Sequence, residues 1–332
     1  MKMKMPYKST LLLFILGTLA IFLPVLFIRL GIMGAYPARV LTMAGVNAIM
    51  AVSVNMIVGI TGQLSLGQAG FLAIGAYSCI FFHLDIGLPI PLAVVLAILF
   101  TTLMGFIIGF PVLKLSGDYL AIVTLGFGEI IRVVFNNLRN ITGGPNGRQL
   151  VTAMVLNVQL AIGVVTAMLV VILALLQNFL RSSYGRAIKA CREDEIAANS
   201  SGIDVFRHKM IGFVIASSIA GAAGCLFALV VGLVQPSTAS FLRSIEYLIF
   251  VVLGGMGSMT GAIVAAYVLT YLQEMLRFLR DYRLLVYPVI LIFVMIFRPQ
   301  GLFGMKEFSF VNTWNAFINL FNRIKRASGG QL

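Results

Sequence analysis

Apolar runs follow one another along this chain with only short polar interruptions. Residues 11–28, 40–60, 71–82, 89–113, 119–137, 151–180, 210–234, 245–253, 262–275 and 284–297 read as helices suited to a bilayer, where the backbone must satisfy its own hydrogen bonds. Together they make about ten crossings. The weak place in that count is 245–275, where two short segments can be re-entrant or half-helices instead of full spans. No linker separates the runs, so residues 1–304 read as one all-α, polytopic membrane domain and residues 305–332 as a tail.

Two runs are interrupted by glycine and small polar residues, GITGQLSLGQAG at 59–70 and GGMGSMTG at 254–261. Irregular backbone at membrane depth is stable only where it is buried in protein or lines a wet cavity. Paired breaks at corresponding places in two halves point to an internal repeat with a transport site at its interface. Gln63, Ser65 and Gln68, with Asn55 in the helix before them, are therefore candidates for lining a pathway. The alternative is a short cytoplasmic turn followed by a tightly packed helix, which the small-residue stripe Ala69, Ala73 and Ala76 would serve. Nucleotide binding at the second break is rejected, because Thr260 stands where the third glycine of GxGxxG would fall and no strand precedes it.

The segment 119–137, with Ser116 or Asp118 placed to cap it, is the most polar of the spans. Glu129 and Arg132 share a face, and Thr124, Gly128, Arg132 and Asn136 form a neighbouring stripe. A charged pair this deep is expensive, which makes it either a functional site or a structural pair at an interface with a partner subunit. A proton relay lacks a second intramembrane acid. The turn formers in TGGPNG at 142–147 place the loop 138–150 outside the membrane.

Residues 181–209 are the longest polar interruption before the tail, with 10 of 29 residues charged against 35 in all 332. Residues 192–199, Arg192-Glu193-Asp194-Glu195-Ile196-Ala197-Ala198-Asn199, read as a short helix with acids in its first turn, where the helix dipole favours them. Gly202 ends it, and Asp204 can cap the span beginning near Phe206. A short helix continuous with two membrane helices can transmit a push into the bundle; the plainer reading is a solvated connector.

Composition agrees with the pattern: 60% of residues are hydrophobic and only 11% charged. The net charge of +13 is a matter of topology, since the basic residues lie between spans with no aromatic platform for nucleic acid. Placing both termini and the 181–209 loop on one side puts 15 Lys and Arg there and 8 opposite, which makes that side cytoplasmic. The run 11–28, preceded by Lys2, Lys4 and Lys8, is long and lacks a clear cleavage site, so it reads as a retained first helix. Cys79, Cys191 and Cys225 have no metal-ligand or disulfide spacing and read as small packing residues, and His83 and His208 as ordinary solvated histidines. No catalytic constellation or metal site is assembled. No GxxxxGK[ST] motif occurs, so ATP energy would have to come from partners.

Several of these stretches carry a resemblance. With Glu195, Ala197, Ala198 and Gly202, the 181–209 loop resembles the EAA-type coupling loop of ABC importer permeases. GQLSLGQA at 62–69, AIVTLGFGEIIR at 121–132, TGGPNG at 142–147, LGGMGS at 253–258 and FRPQGL at 297–302 are similar to the M-type permeases of branched-chain amino-acid importers. The matches run from about residue 40 to 304. The resemblance implies an ABC importer permease fold in a bacterial inner membrane. It implies a homologous H-type permease, two cytoplasmic ATPases that use ATP and magnesium, and a periplasmic or extracellular binding protein. No cofactor is implied for this chain. Within that family the similar permeases for urea and short amides are the alternative substrate class. A gradient-driven carrier is a further rival, and it would need intramembrane acids, for which only Glu129 qualifies. The tail departs from the family, and its apolar residues at three- and four-residue spacing, with Arg323, Lys325 and Arg326, suit a helix lying on the lipid surface or a contact with the ATPase.

Overall fold

The computed structural model describes residues 34–115 and 117–278, together with 288, 289, 292, 296, 297 and 301. The expected spans 11–28 and, for the most part, 284–297, and the tail 305–332, lie outside the described residues. In chain order the helices are α1 (Ala35–Val54, continued by a π-helix at Asn55–Ile60), α2 (Gln68–Leu84), α3 (Ile90–Val112), α4 (Asp118–Asn137) and the one-turn α5 (Arg139–Thr142). After a short strand β1 (Arg148–Gln149) come α6 (Ala153–Leu156), α7 (Val158–Arg181), α8 (Ser183–Glu193), α9 (Glu195–Ser200) and α10 (Val205–Val231). Strand β2 (Leu233–Val234), a 3₁₀ turn at Pro236–Ala239, α11 (Phe241–Gly254) and α12 (Met259–Met275) complete the order.

Five helices among the described residues are long and apolar enough to cross a membrane: α1 with its π-helix, α3, α7, α10 and α12 with the turn after it. This is fewer than the count read from the sequence. The difference lies in α2, α4 and α11, which are helical but too short or too polar, and in the spans outside the described residues. At 14 residues α11 spans about 21 Å against a hydrocarbon core of about 30 Å. It begins beside Glu129, midway along α4, so it is a half-helix reached by a segment that turns back into the bundle.

Side-chain size decides which helices lie at the centre. Of the most apolar 18-residue stretch of α1 and its π-helix 89% is buried, with α10, α12 and α7 packed around it. α2 and α10 lie so close that a Cβ on Gly224 would meet the Leu72 carbonyl oxygen at 2.0 Å, and one on Gly75 the Gly221 carbonyl oxygen at 2.3 Å. Ala69, Ala73 and Ala76 are fully buried on α2, as the small-residue stripe requires. On α3 the buried positions Ala93, Ala97, Thr101, Gly105 and Gly109 recur every four residues, while Leu99, Leu103, Phe106 and Ile107 are exposed. Small residues there admit α10, and large ones are left for lipid.

The two ends of the bundle differ. At one end Arg148 makes a bidentate pair with Asp85 (2.6 and 2.7 Å), β1 pairs antiparallel with β2, and the Tyr77 hydroxyl donates to the Val234 carbonyl at 3.1 Å. At the other end lie both glycine breaks and the loop that carries α8 and α9. Local structure corrects several sequence boundaries. The segment 151–180 is divided at Asn157, whose side chain caps α7. Gly117 at φ +60°, not Asp118, is the N-cap of α4. The stretch 181–209 is largely helical, and α10 already begins at Val205.

Candidate functional site

The first break grows out of the most buried helix, where α1 widens into the π-helix and the chain then runs irregularly through 61–67. Asn55 Oδ1 accepts the Gly257 backbone N–H at 2.8 Å, joining the first break to the second. A Cβ on Gly59 would lie 2.4 Å from that same nitrogen, so only glycine admits the contact. α4 and α11 satisfy the irregular backbone that follows: Thr124 Oγ1 accepts the Leu66 N–H at 3.0 Å, and Ser244 Oγ accepts the Ala69 N–H at 3.2 Å. Ser258 caps α12 by accepting the Gly261 N–H.

Gln63, Ser65 and Gln68 turn into the core and are 3%, 3% and 1% exposed. Both polar atoms of the Gln63 amide, Ser65 Oγ and Asn55 Nδ2 lack a protein partner. Each such buried atom costs about 1–3 kcal/mol in a dry core, so the segment is a hydrophilic spot inside an apolar bundle. Ser53 gives its one proton to the Ala216 carbonyl at 2.7 Å, so its 3.3 Å contact with Gln68 is best made with the amide nitrogen of Gln68 as donor. None of these residues borders the open cavity of about 530 Å³ beside Val133, Asn137 and Ile141 at the far end of α4.

Glu129 is brought to a different element. One carboxylate oxygen pairs with Arg132 Nε at 2.6 Å and the other accepts the Phe241 N–H, the first of α11, at 3.1 Å. It therefore caps the half-helix, while about a third of its side chain stays open to the surroundings of the chain (32% exposed). Glu246, inside the run 245–253 yet left out of the count of intramembrane acids, is a second acid within the bundle. In α11 it binds Arg243 Nη1 at 2.9 Å and Gln273 Nε2 at 2.8 Å.

In the coupling stretch a bend at Asp194 separates α8 from α9, where one continuous helix over 192–199 was expected. Asp194 Oδ1 accepts the N–H groups of Ile196 and Ala197 at 2.8 and 3.0 Å and starts α9 anew. Gly202 closes it at φ +80°, with Ile203 N–H bonded to the Ala198 carbonyl at 3.1 Å, a Schellman ending. Glu195 pairs with Lys209 of α10, and Asp204 caps α10 through Arg207 N–H, so α9 is fastened to the membrane helix after it. Ala198 is buried, whereas Glu193, Ala197 and Ile196 face outward, Ile196 at 81% exposure. Cys191 is on the buried face of α8, and burial pushes its thiol pKa up, with Lys209 pulling the other way.

Residues 36–295 match the family described as the branched-chain amino acid transport system, permease component. The chain belongs to this permease family. It is 38% identical over 293 residues to the permease LivM of a high-affinity branched-chain amino acid transport system in Salmonella typhimurium, covering 80% of this chain and 69% of that one. To LivM of Escherichia coli it is 38% identical over 327 residues, covering 90% and 76%. It is 29% identical over 158 residues to LivH of Escherichia coli, covering 47% and 50%. No solved structure matches it. A permease subunit of an ABC importer in a membrane accounts for the apolar helices and for an irregular, polar centre held between them.

Arg192 is the residue whose position the sequence left hidden. From the last turn of α8 its stem lies against Gly62, where a Cβ would be 3.0 Å from Cγ, and its guanidinium lies against Gly257, where a Cβ would be 3.1 Å from Nη1. The glycines that mark both breaks were its only signal. Arginine and glycines are separated by 130 and 65 positions (192 − 62 and 257 − 192), beyond any periodicity argument.

Proposed function

We propose that this permease carries branched-chain aliphatic amino acids across a bacterial inner membrane as a multi-pass subunit with the 181–209 loop and both termini on the cytoplasmic side. It pairs with a homologous H-type permease, receives substrate from an external binding protein, and is driven by two ATPases that bind ATP and magnesium themselves. The observation that carries this reading is the separately capped helix α9, which holds Ile196 outward at 81% exposure while Glu195 and Asp204 fasten it to α10. A rigid, outward-facing apolar residue on a charged surface helix is what a protein that pushes on the bundle would grip.

Within this reading Arg192, Glu193, Asp194, Glu195, Ala197, Ala198 and Gly202 form the coupling element. Asn55, Gln63, Ser65, Gln68 and Thr124 form the polar centre that changes during transport, and the open side of the Glu129–Arg132 pair meets the partner permease or the pathway. The test is reconstitution of the assembled importer in proteoliposomes with radiolabelled leucine, isoleucine and valine, each competed with urea and acetamide. ATP-dependent leucine uptake resistant to both competitors is expected, and competition by urea moves the substrate class. A Glu195→Ala/Gly202→Ala double variant should assemble and hydrolyse ATP yet lose uptake; normal uptake would refute the coupling role.

A further inference from the structure

We infer that Arg192 is the positioning residue through which the coupling loop moves both chain breaks at once. The inference rests on the reading that partner ATPases act on this loop. Its geometry is independent of them. The π-helix ends at Ile60, α11 at Gly254 and α8 at Glu193, so three helix C-termini converge where Arg192 lies. Each C-terminus carries partial negative charge on unpaired carbonyls, and a cation near it is favoured. A planar guanidinium with five donors can face several carbonyl-rich ends at once, which a lysine cannot.

The glycines flanking the side chain serve two needs together. Gly62 at φ +72° and Gly257 at φ +92° take a backbone conformation that other residues rarely adopt, and both leave the space the arginine fills. The breaks already touch through Asn55 and Gly257. A displacement of α8 therefore reaches α1 and α11 through one side chain, at the irregular backbone where each hairpin is easiest to bend. Asp194 alone joins α8 to α9, so a push on the gripped helix is passed to the end of α8 that carries the arginine.

The experiment uses the assembled importer in nanodiscs with spin labels at Leu64→Cys and Met256→Cys, both exposed beside the two breaks, the three native cysteines being buried. The wild-type background should show the distance between the labels change when ATP binds. With Arg192→Ala that change should vanish and leucine uptake per ATP hydrolysed should fall at least about tenfold, while assembly and ATP hydrolysis persist. Arg192→Lys should recover part of both. An Arg192→Ala complex with the wild-type distance change and uptake overturns the inference alone; a wild-type complex whose distance ignores ATP overturns the reading of the loop as well. Should Arg192→Ala fail to assemble, Arg192→Gln, which keeps donors but no charge, decides: loss of the distance change supports the role, and retention refutes it.

Discussion

The Asn55 side chain and the Gly257 backbone are joined by a 2.8 Å hydrogen bond across 202 residues of sequence, and it ties together the two places where the helical pattern of this permease fails. Asn55 is fully buried, but the Gly257 N–H it accepts belongs to a half-buried residue. Asn55→Ala should cost about 1 kcal/mol, the net worth of a hydrogen bond whose donor is not left in a dry core. Thermal unfolding of the purified complex checks this, and an unchanged midpoint would remove the bond from the account of what holds the breaks.

Gly202 ends α9 at φ +80°, and a Cβ there would meet nothing. Alanine should therefore cost only the backbone strain, about 1 kcal/mol, and asparagine less. Leucine uptake per ATP hydrolysed should be highest in wild type, lower with asparagine and lowest with alanine. Equal values for all three would mean that the close of α9 has no part in coupling.

Glu129→Gln keeps an acceptor for Phe241 N–H but loses the charge that pairs with Arg132, so it should assemble almost normally. Glu129→Ala loses both and leaves a cation at membrane depth. Combining it with Arg132→Ala should return about 0.5–3 kcal/mol, the coupling typical of contacting residues. A double-mutant cycle in stability measures this; strict additivity would show that the two do not act as a pair.

The raised pKa of the Cys191 thiol, caused first by burial, keeps it protonated through neutral pH. Maleimide should therefore label it slowly at pH 7, and the rate should climb with pH only above the usual thiol range, because the thiolate is the reactive form. Labelling should quicken whenever the loop lifts from the bundle, so an ATP-dependent rate reports its motion. Rapid labelling at pH 7 without nucleotide would mean that α8 does not lie as described.

Gly224→Val should separate α2 from α10, because its Cβ would lie 2.0 Å from the Leu72 carbonyl oxygen. The cost should be about 1–3 kcal/mol or more, as in other overpacked cores, and yield of folded complex reads it. Gly126→Ala, where nothing lies within 4 Å of the added carbon, is the matched control and should be neutral.

The sequence by itself determined that this is a helical membrane protein, where its chain breaks fall, and that Gly202 ends the short helix of the polar loop while Asp204 caps the span after it. These are local properties: apolar run length, missing side chains at glycine and the capping chemistry of short polar residues act within a few positions. The stripe Ala69, Ala73 and Ala76 was legible for the same reason, since a helix turns small residues onto one face every three or four positions. Only the tertiary structure decided that α11 is a half-helix started by Glu129, that Glu246 meets Gln273 and that Arg192 sits against both breaks. Each depends on distant segments being brought together, and the energy that joins them, a carbonyl meeting an N–H or a guanidinium meeting helix ends, leaves no period along the chain.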